Sequence, residues 1–416
     1  MKIKVVGSGV SGLAIANMLS SKGAEVQVLE KNSKVGGLIA CDIESGFLYH
    51  KVGGHVFNSR NNDVLDWFWS FFDKDSDFVK VKRNAKILLM GKLIGYPIEN
   101  NLYQLSKGVV RQIFEELLRD KRGDSNCINF KEYLLNTFGQ TLCEIYFFPY
   151  NQKIWQCDLE KVSLDWLEGK LPMPNLGSII LDNIFREEEA EMVHSTFYYP
   201  KVGGSQFIAD TLAENLNVKY NVLVDKIEFY DGALMVNGES VDKLIYTGRV
   251  TDLQNIFFSD DEDIVNSLAS VSNLNFHGTS NLLCECDFTD ISWLYLPEDN
   301  VKAHRIIYTG GFSKSNNGSS KRMSCTVEFS GELTFDEMVS ELENLPGNLV
   351  PIASNNEIYS YVIQDQFTRD KISKIKYELA KANIYLLGRF AEWEYFNMDA
   401  AIESAMRLSQ KITLDH

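Results

Sequence analysis

The first strand-like run, Lys2 to Val6, opens directly onto Gly7, Gly9 and Gly12. This order of strand, spaced glycines and helix leaves few folds open. The first glycine permits a tight turn, the second lets backbone N–H groups approach a pyrophosphate, and the third lets the helix pack closely against the sheet. Glu30 follows a second β-like run, Glu25 to Leu29, about 20 residues on, where an acidic side chain can bind a ribose hydroxyl. Lys31 leads into a further glycine pair, Gly36 and Gly37, which suits FAD better than NAD. The expected fold is α/β: a Rossmann-like FAD-binding domain with additional layers built onto it.

A chain of 416 residues exceeds one ordinary core, so roughly two or three domains are expected. The net charge of −16 argues against general nucleic-acid binding. Cysteines are dispersed, and the single close pair, Cys284 and Cys286, has no second pair to complete a zinc site. Buried reduced thiols and no metal are expected. His50, His194, His277, His304 and His416 show no metal-ligand spacing. The apolar N-terminus is broken by glycines and followed by Glu25 and Lys31, so it reads as strand and helix rather than a signal peptide. No uninterrupted apolar span reaches about 18 residues, so no membrane span is expected. The default is a cytoplasmic enzyme.

Along the chain, Asp63 to Phe72 reads as a buried helix, and Phe78 to Leu93 as two β runs joined at Met90-Gly91. Helical spacing then dominates from Leu102 to about Asp182. Tyr198 to Gly204 ends an extended run, Ser205 to Leu216 forms an amphipathic helix, and β runs follow at Val218–Val224 and Lys226–Val236, the latter broken at Asp231-Gly232. Val241 to Thr247 reads as a strand returning to the first sheet. Leu282 to Phe329 alternates as a second, antiparallel sheet, with a loop at Asn316 to Ser320. A buried strand at Asn383 to Gly388 and a helix from Met398 close the chain. The expected division is an FAD-binding domain from residues 1–62, 203–252 and 380–416, a helical insertion and lid at 98–190, and an antiparallel-sheet substrate domain from 63–97, 191–202 and 253–379.

Several strings, in order, resemble the UDP-galactopyranose mutase family. They are Gly53-Gly54-His55-Val56-Phe57, Tyr96-Pro97-Ile98-Glu99, Tyr150 to Trp155, Tyr199-Pro200 with Val202-Gly203-Gly204, His304-Arg305-Ile306-Ile307, and Gly388-Arg389 through Met398. The resemblance implies a flavoenzyme that contracts a nucleotide-linked pyranose to a furanose with no net oxidation. The reduced flavin N5 would attack the anomeric carbon and displace the nucleoside diphosphate, the sugar ring would open, and another hydroxyl would close on that carbon before the diphosphate returned.

The same resemblance implies roles. Arg305 and Tyr395 match the phosphate-binding pair, and a leaving diphosphate needs such positive charge and donors. His55 matches the turn beside the flavin ring and Arg389 the turn that binds or tunes the cofactor. Gly54, Val224, Asn397 and Met398 fall beside the flavin. Asn84, Tyr96, Tyr150, Trp155 and Tyr199 match positions around the base, phosphate and sugar. Tyr150 and Trp155 stand five residues apart, which is not one helical face, so their segment is expected to turn. FAD in its reduced form, a nucleotide-diphosphate sugar and an external reductant such as NAD(P)H are the implied partners, and many family members are homodimers.

The resemblance weakens at the sugar end. Pro174 falls where bacterial members carry a lid arginine, leaving Lys170, Arg186 or another residue to supply the charge. Asn58 stands in place of a second histidine, Phe197 or Tyr198 in place of a sugar-site tyrosine, and Asn397 in place of an aspartate. A sugar other than galactose is therefore compatible with the site. The alternative reading is an FAD-dependent amine oxidase or desaturase-type oxidoreductase, which shares the cradle but needs an apolar tunnel in place of a diphosphate grip. A non-enzymatic FAD-binding protein is the third class.

Overall fold

The computed structural model describes residues 1–119, 127–164, 176–186 and 195–413. Lys170, Pro174, the Glu187–Glu189 run, His194 and His416 lie outside the described residues.

The strand Lys2–Val6 sits at the centre of a five-stranded parallel sheet, in the order Ile384–Leu386, Lys243–Tyr246, Lys2–Val6, Glu25–Leu29, Asn217–Lys219. Its strands come from three separated stretches of the chain. Both faces are covered, which is how a parallel sheet buries near-continuous apolar strands. On one face the helices Val10–Ser21, Gly204–Ala213 and Met398–Lys411 enclose Ile3, Val5, Leu13, Ile15, Ile208 and Ile402. On the other, Leu29, Leu244 and Leu386 pack with Ile264 and Leu268 of the helix Glu262–Val271 and with Ile372, Ile375 and Leu379 of the helix Thr368–Lys381. The 253–379 stretch is thus split: its two flanking helices cover the nucleotide-binding sheet, and only the strands between them build the second layer.

That second layer is a seven-stranded sheet, ordered Val350–Val362, Phe276–Cys286, Met323–Ser330, Ala303–Ile307, Trp293–Tyr295, Ala85–Leu89, Lys92–Gly95. Pairing is antiparallel except between Trp293–Tyr295 and Ala85–Leu89. Cys284, Cys286 and Cys325 are fully buried on one of its faces with Val327 and Phe329, and all seven cysteines are free thiols. The hairpins at Met90-Gly91 and Asp231-Gly232 form where expected. Both residues of each turn have positive φ, the conformation that lets a two-residue turn follow strand twist.

Three local expectations change. The run Val218–Val224 leaves the sheet at Lys219, because the Asn221 and Val222 N–H groups turn to the carbonyls of Asn32 and Glu30 at 3.1 and 2.9 Å. Tyr150 and Trp155 lie on one continuous helix, Phe148–Trp155, which ends at Gln156 with φ 48°. A π turn over Cys143–Phe147 precedes it, and five helical steps rotate the two rings by about 140° relative to each other. Asn316, assigned to an open loop, is fully buried and donates to the Tyr199 hydroxyl at 2.9 Å. Among the described residues, no helix is long and apolar enough to cross a membrane.

Candidate active site

A cavity of about 1350 Å³ runs from the glycine turn to the face of the seven-stranded sheet. At its first end, Gly7 has φ 95°, and a side chain at Gly12 would place Cβ 2.0 Å from the Gly7 carbonyl oxygen. Gly12 therefore faces the sheet, not the cavity, and fixes how closely the helix approaches. Gly9 has nothing within 4 Å of its Cβ direction. It caps the helix Val10–Ser21 without a side-chain hydrogen bond, and no acid stands in that helix's first turn. The first N–H groups and the positive end of the helix dipole are left for an anion. Gly36 (φ 124°) and Gly37 (φ 55°) close over the same turn, Gly36 bridging to Gly9.

Glu30 is 5% exposed and tightly placed. One carboxylate oxygen accepts from the Ser8 N–H and hydroxyl at 2.9 and 2.6 Å, the other from the Asn32 N–H at 2.8 Å. Lys31 and Val224 line this end too.

Gly54 and His55 line the cavity as well. Gly53 has φ 61°, and a Cβ on Gly54 would lie 2.6 Å from Ile307 Cγ2, so only glycine brings the turn this close to the second sheet. Burial lowers the His55 imidazole to about 4, helped by Arg389 and Arg305. It donates to the Val52 backbone, and its Nε2 is buried without a partner. The Gly388–Met398 turn enters from the other side. Gly388 N–H donates to Glu392 at 2.8 Å, and Glu392 is held by Ser404 and Lys376 at 2.7 and 2.8 Å. Arg389 donates to the carbonyls of Ser360 and Phe396 and stands 4.8 Å over the Tyr395 ring. Asn397 caps the helix Met398–Lys411 without a side-chain hydrogen bond, giving a second helix N-terminus on the cavity wall.

At the far end, Arg305 donates to Glu328 at 2.6 Å and to the Tyr361 hydroxyl at 3.3 Å. His304 meets the same Glu328 oxygen at 2.9 Å. Burial alone would raise this carboxyl, 1% exposed, but Arg305 and His304 hold it at about 2. Arg305 Nε and the second Glu328 oxygen are buried without partners. Tyr395 stacks on Tyr361 at 5.6 Å, and Tyr361 on His277 at 4.8 Å. Tyr96 completes this wall.

Four substrate-site expectations fall outside the cavity lining. Asn84 points away, its amide donating to the Asp290 carbonyl at 3.1 Å and its N–H to Ser292 at 3.0 Å. Tyr199 is fully buried, its hydroxyl 2.6 Å from His50 Nε2. Trp155 stands behind the wall, edge-on to Tyr361 and Tyr395 at 6.1 and 6.4 Å. Tyr150 stacks on Tyr146 at 5.6 Å and meets Tyr295 edge-on at 5.5 Å. Sequence reasoning passed over Arg83, Trp293 and Tyr295, which do line this end, and Glu328, which holds Arg305. The usable signals were the period-2 faces of the strands: Arg83 is one residue from Asn84, and Tyr295 pairs directly across from Arg305.

These residues fit a dinucleotide. The open Gly9 cradle and uncapped helix suit a pyrophosphate, Glu30 a ribose, and the buried Nε2 of His55 a further polar group. Among the described residues, no group of three or more His, Cys, Asp or Glu is placed to hold a metal.

Residues 5–74 match the NAD(P)-binding Rossmann-like domain family. The chain is 23% identical to the UDP-galactopyranose mutase of Mycoplasma genitalium, across 99% of this chain and 94% of that one. It is also 23% identical to the dTDP-fucopyranose mutase of Escherichia coli, across 98% and 97%. A crystal structure of reduced UDP-galactopyranose mutase superposes with a TM-score of 0.87 at 22% identity, covering 98% of this chain and 93% of that chain. Over nearly its whole length the chain therefore resembles the UDP-galactopyranose mutase family and carries that enzyme's fold.

Proposed function

We propose that this protein is an isomerase, an intramolecular transferase that interconverts the pyranose and furanose forms of a nucleotide-diphosphate sugar, UDP-galactose or a related hexose, with FAD as resident cofactor. When bound and reduced, that cofactor supplies a nucleophilic nitrogen for the anomeric carbon. The observation carrying this reading is that Arg305 and Tyr395, held from behind by Glu328 and Tyr361, line the same cavity as the glycine cradle and His55. An oxidase of amines or apolar substrates has no use for a guanidinium at that place.

The chain's residues divide the work. Gly7, Gly9, Gly36 and Gly37 admit the cofactor pyrophosphate, and Glu30 takes its ribose. Arg305 and Tyr395 bind the diphosphate and stabilise the charge that develops as it leaves. Glu328 anchors Arg305 in one orientation, so little reorganisation is needed when that charge appears. His55, neutral at physiological pH, keeps Nε2 as a lone-pair acceptor that can take a proton near the reacting sugar. Arg389 is committed to backbone carbonyls, which favours a positioning role for it. An external reductant such as NAD(P)H maintains the reduced state. The supporting relatives differ in both nucleotide and sugar, so the panel of substrates to try spans UDP- and dTDP-hexoses.

The test is NMR and mass analysis of products from dithionite-reduced protein with that panel. A furanose product from at least one nucleotide sugar is expected. Failure to bind or convert any of them, alongside bleaching of the flavin by an amine, would replace this reading with the oxidase one.

A further inference from the structure

The Lys153 ammonium is held as a surface lysine is not. It lies 2.9, 2.6, 2.9 and 3.3 Å from the carbonyl oxygens of Leu296, Glu298, Val301 and Ala303. These oxygens outnumber the protons of an ammonium, so they surround it as they would a coordinated cation. Burial pulls its pKa down to about 8, and the carboxylates of Asp299, Glu341 and Glu298 oppose that fall, so the group is charged at neutral pH. All four carbonyls belong to the turn of one hairpin. Its strands, Trp293–Tyr295 and Ala303–Ile307, meet where the Leu296 N–H donates to the His304 carbonyl at 2.9 Å, and the next pair inward is Tyr295 with Arg305. One cation thus gathers both strands at the end where Tyr295 and Arg305 reach the cavity. The helix Phe148–Trp155 touches this hairpin again one turn earlier. Tyr150, three residues before Lys153 and on the same face, meets the Tyr295 ring edge-on at 5.5 Å.

We propose that Lys153 is a positioning residue for the diphosphate grip: its ammonium fills a cation site built from the carbonyls of residues 296–303 and so fixes the Tyr295–Arg305 pair on the cavity wall. The inference rests on the nucleotide-sugar reading above. Lys153 is not part of the cavity lining, so it acts through Arg305 and Tyr295 and touches no phosphate itself. Backbone carbonyls can replace the hydration shell of a monovalent cation, and these remain when the lysine side chain is removed. Alanine at position 153 leaves room for a free ammonium or potassium ion, whereas methionine keeps the stem and fills that room.

The experiment is calorimetric titration of UDP and dTDP into full-length wild type, Lys153→Ala and Lys153→Met, with thermal unfolding recorded for each. Ammonium, potassium and tetramethylammonium chloride are compared at one ionic strength, so that screening is equal in all three. A misplacement of about 1 Å can cost about 100-fold, so K153A is expected to lose roughly 10- to 100-fold in diphosphate affinity in tetramethylammonium. Ammonium or potassium should restore most of that loss in K153A and none of it in K153M, and wild type should not distinguish the three salts. Recovery by a cation of matching size is a result that a merely damaged fold does not give. If K153A binds the diphosphates like wild type in tetramethylammonium, or stays folded but equally weak in all three salts, the proposal fails and the mutase reading stands. If K153A does not fold, K153M carries the test, and wild-type diphosphate affinity in that variant overturns the proposal. If wild type itself binds neither diphosphate, the mutase reading falls, and this role falls with it.

Discussion

Glu328 is the residue on which the far end of the cavity depends. It accepts from Arg305, His304 and the Tyr361 hydroxyl while 1% exposed, and removing one partner of a buried pair leaves the other uncompensated. Glu328→Gln is expected to destabilise by about 3 kcal/mol, the low end for such pairs, because the Arg305 side chain keeps 21% exposure. Denaturant unfolding measures this, and a change below about 0.5 kcal/mol would mean the pair contributes little. Titration gives an independent check. His55 is depressed from 6.5 to about 4 and His50 to about 3 by burial, so the unfolded chain takes up these protons first and stability falls as pH drops from about 6.5 toward 4. Glu328 is depressed from 4.5 to about 2, so its contribution, complete above 4.5, is lost as pH falls further. Denaturant midpoints followed against pH should decline in these two stages, with the lower one reduced in Glu328→Gln. A flat profile between pH 4 and 6.5 would contradict the buried neutral histidines. At this scale the sequence was readable only where a residue's neighbours in sequence are also its neighbours in space. His55, Arg305 and Tyr395 reach the cavity from strings that resemble the family, whereas Asn84 turns to the Asp290 carbonyl and its neighbour Arg83 lines the cavity. In extended chain, one step in register reverses the face on which a side chain stands.

Among the elements, the strand–glycine–helix unit was legible because its geometry excludes other residues. Gly9 and Gly12 make separate demands, and their variants should part accordingly. Gly12→Ala brings Cβ to 2.0 Å from the Gly7 carbonyl, an overpacking expected to destabilise by about 2–3 kcal/mol. A Cβ at position 9 meets no atom within 4 Å, which leaves room for Gly9→Val. It should fold with an unfolding temperature near wild type and copurify with little flavin, as read from the visible absorbance of the purified protein. Equal flavin content in Gly9→Val and wild type would place the pyrophosphate elsewhere. The helix Phe148–Trp155 was less legible, since Tyr150 and Trp155, about 140° apart around it, do not share a face. Its anchor is Lys153, whose ammonium reaches the carbonyls of Leu296, Glu298 and Val301 at 2.9, 2.6 and 2.9 Å. This ties the helix to the hairpin that bears Tyr295 and Arg305. Lys153→Met leaves those carbonyls without their donor, and a loss of about 2–3 kcal/mol is expected in denaturant unfolding; an unchanged midpoint would show that water replaces the ammonium.

For the whole molecule, the two sheets divide the chemistry between them. The parallel sheet delivers Gly7, Gly9, Glu30 and the Gly388–Met398 turn to one side of the cavity, and the seven-stranded sheet delivers Arg305 and Tyr295 to the other. That Val241 to Thr247 and Asn383 to Gly388 return to the first sheet followed from the sequence. The split of the 253–379 stretch did not, because helices such as Glu262–Val271 carry an apolar face without naming the sheet it covers. What distinguishes an isomerase from the oxidases that share this plan is the fate of electrons. The most direct test counts furanose formed per pair of reducing equivalents, with dithionite-reduced protein and a nucleotide sugar under anaerobic conditions. Many product molecules for each electron pair are expected, with a flavin that stays reduced throughout. One product per electron pair, or none while an added substrate is oxidised, would contradict this.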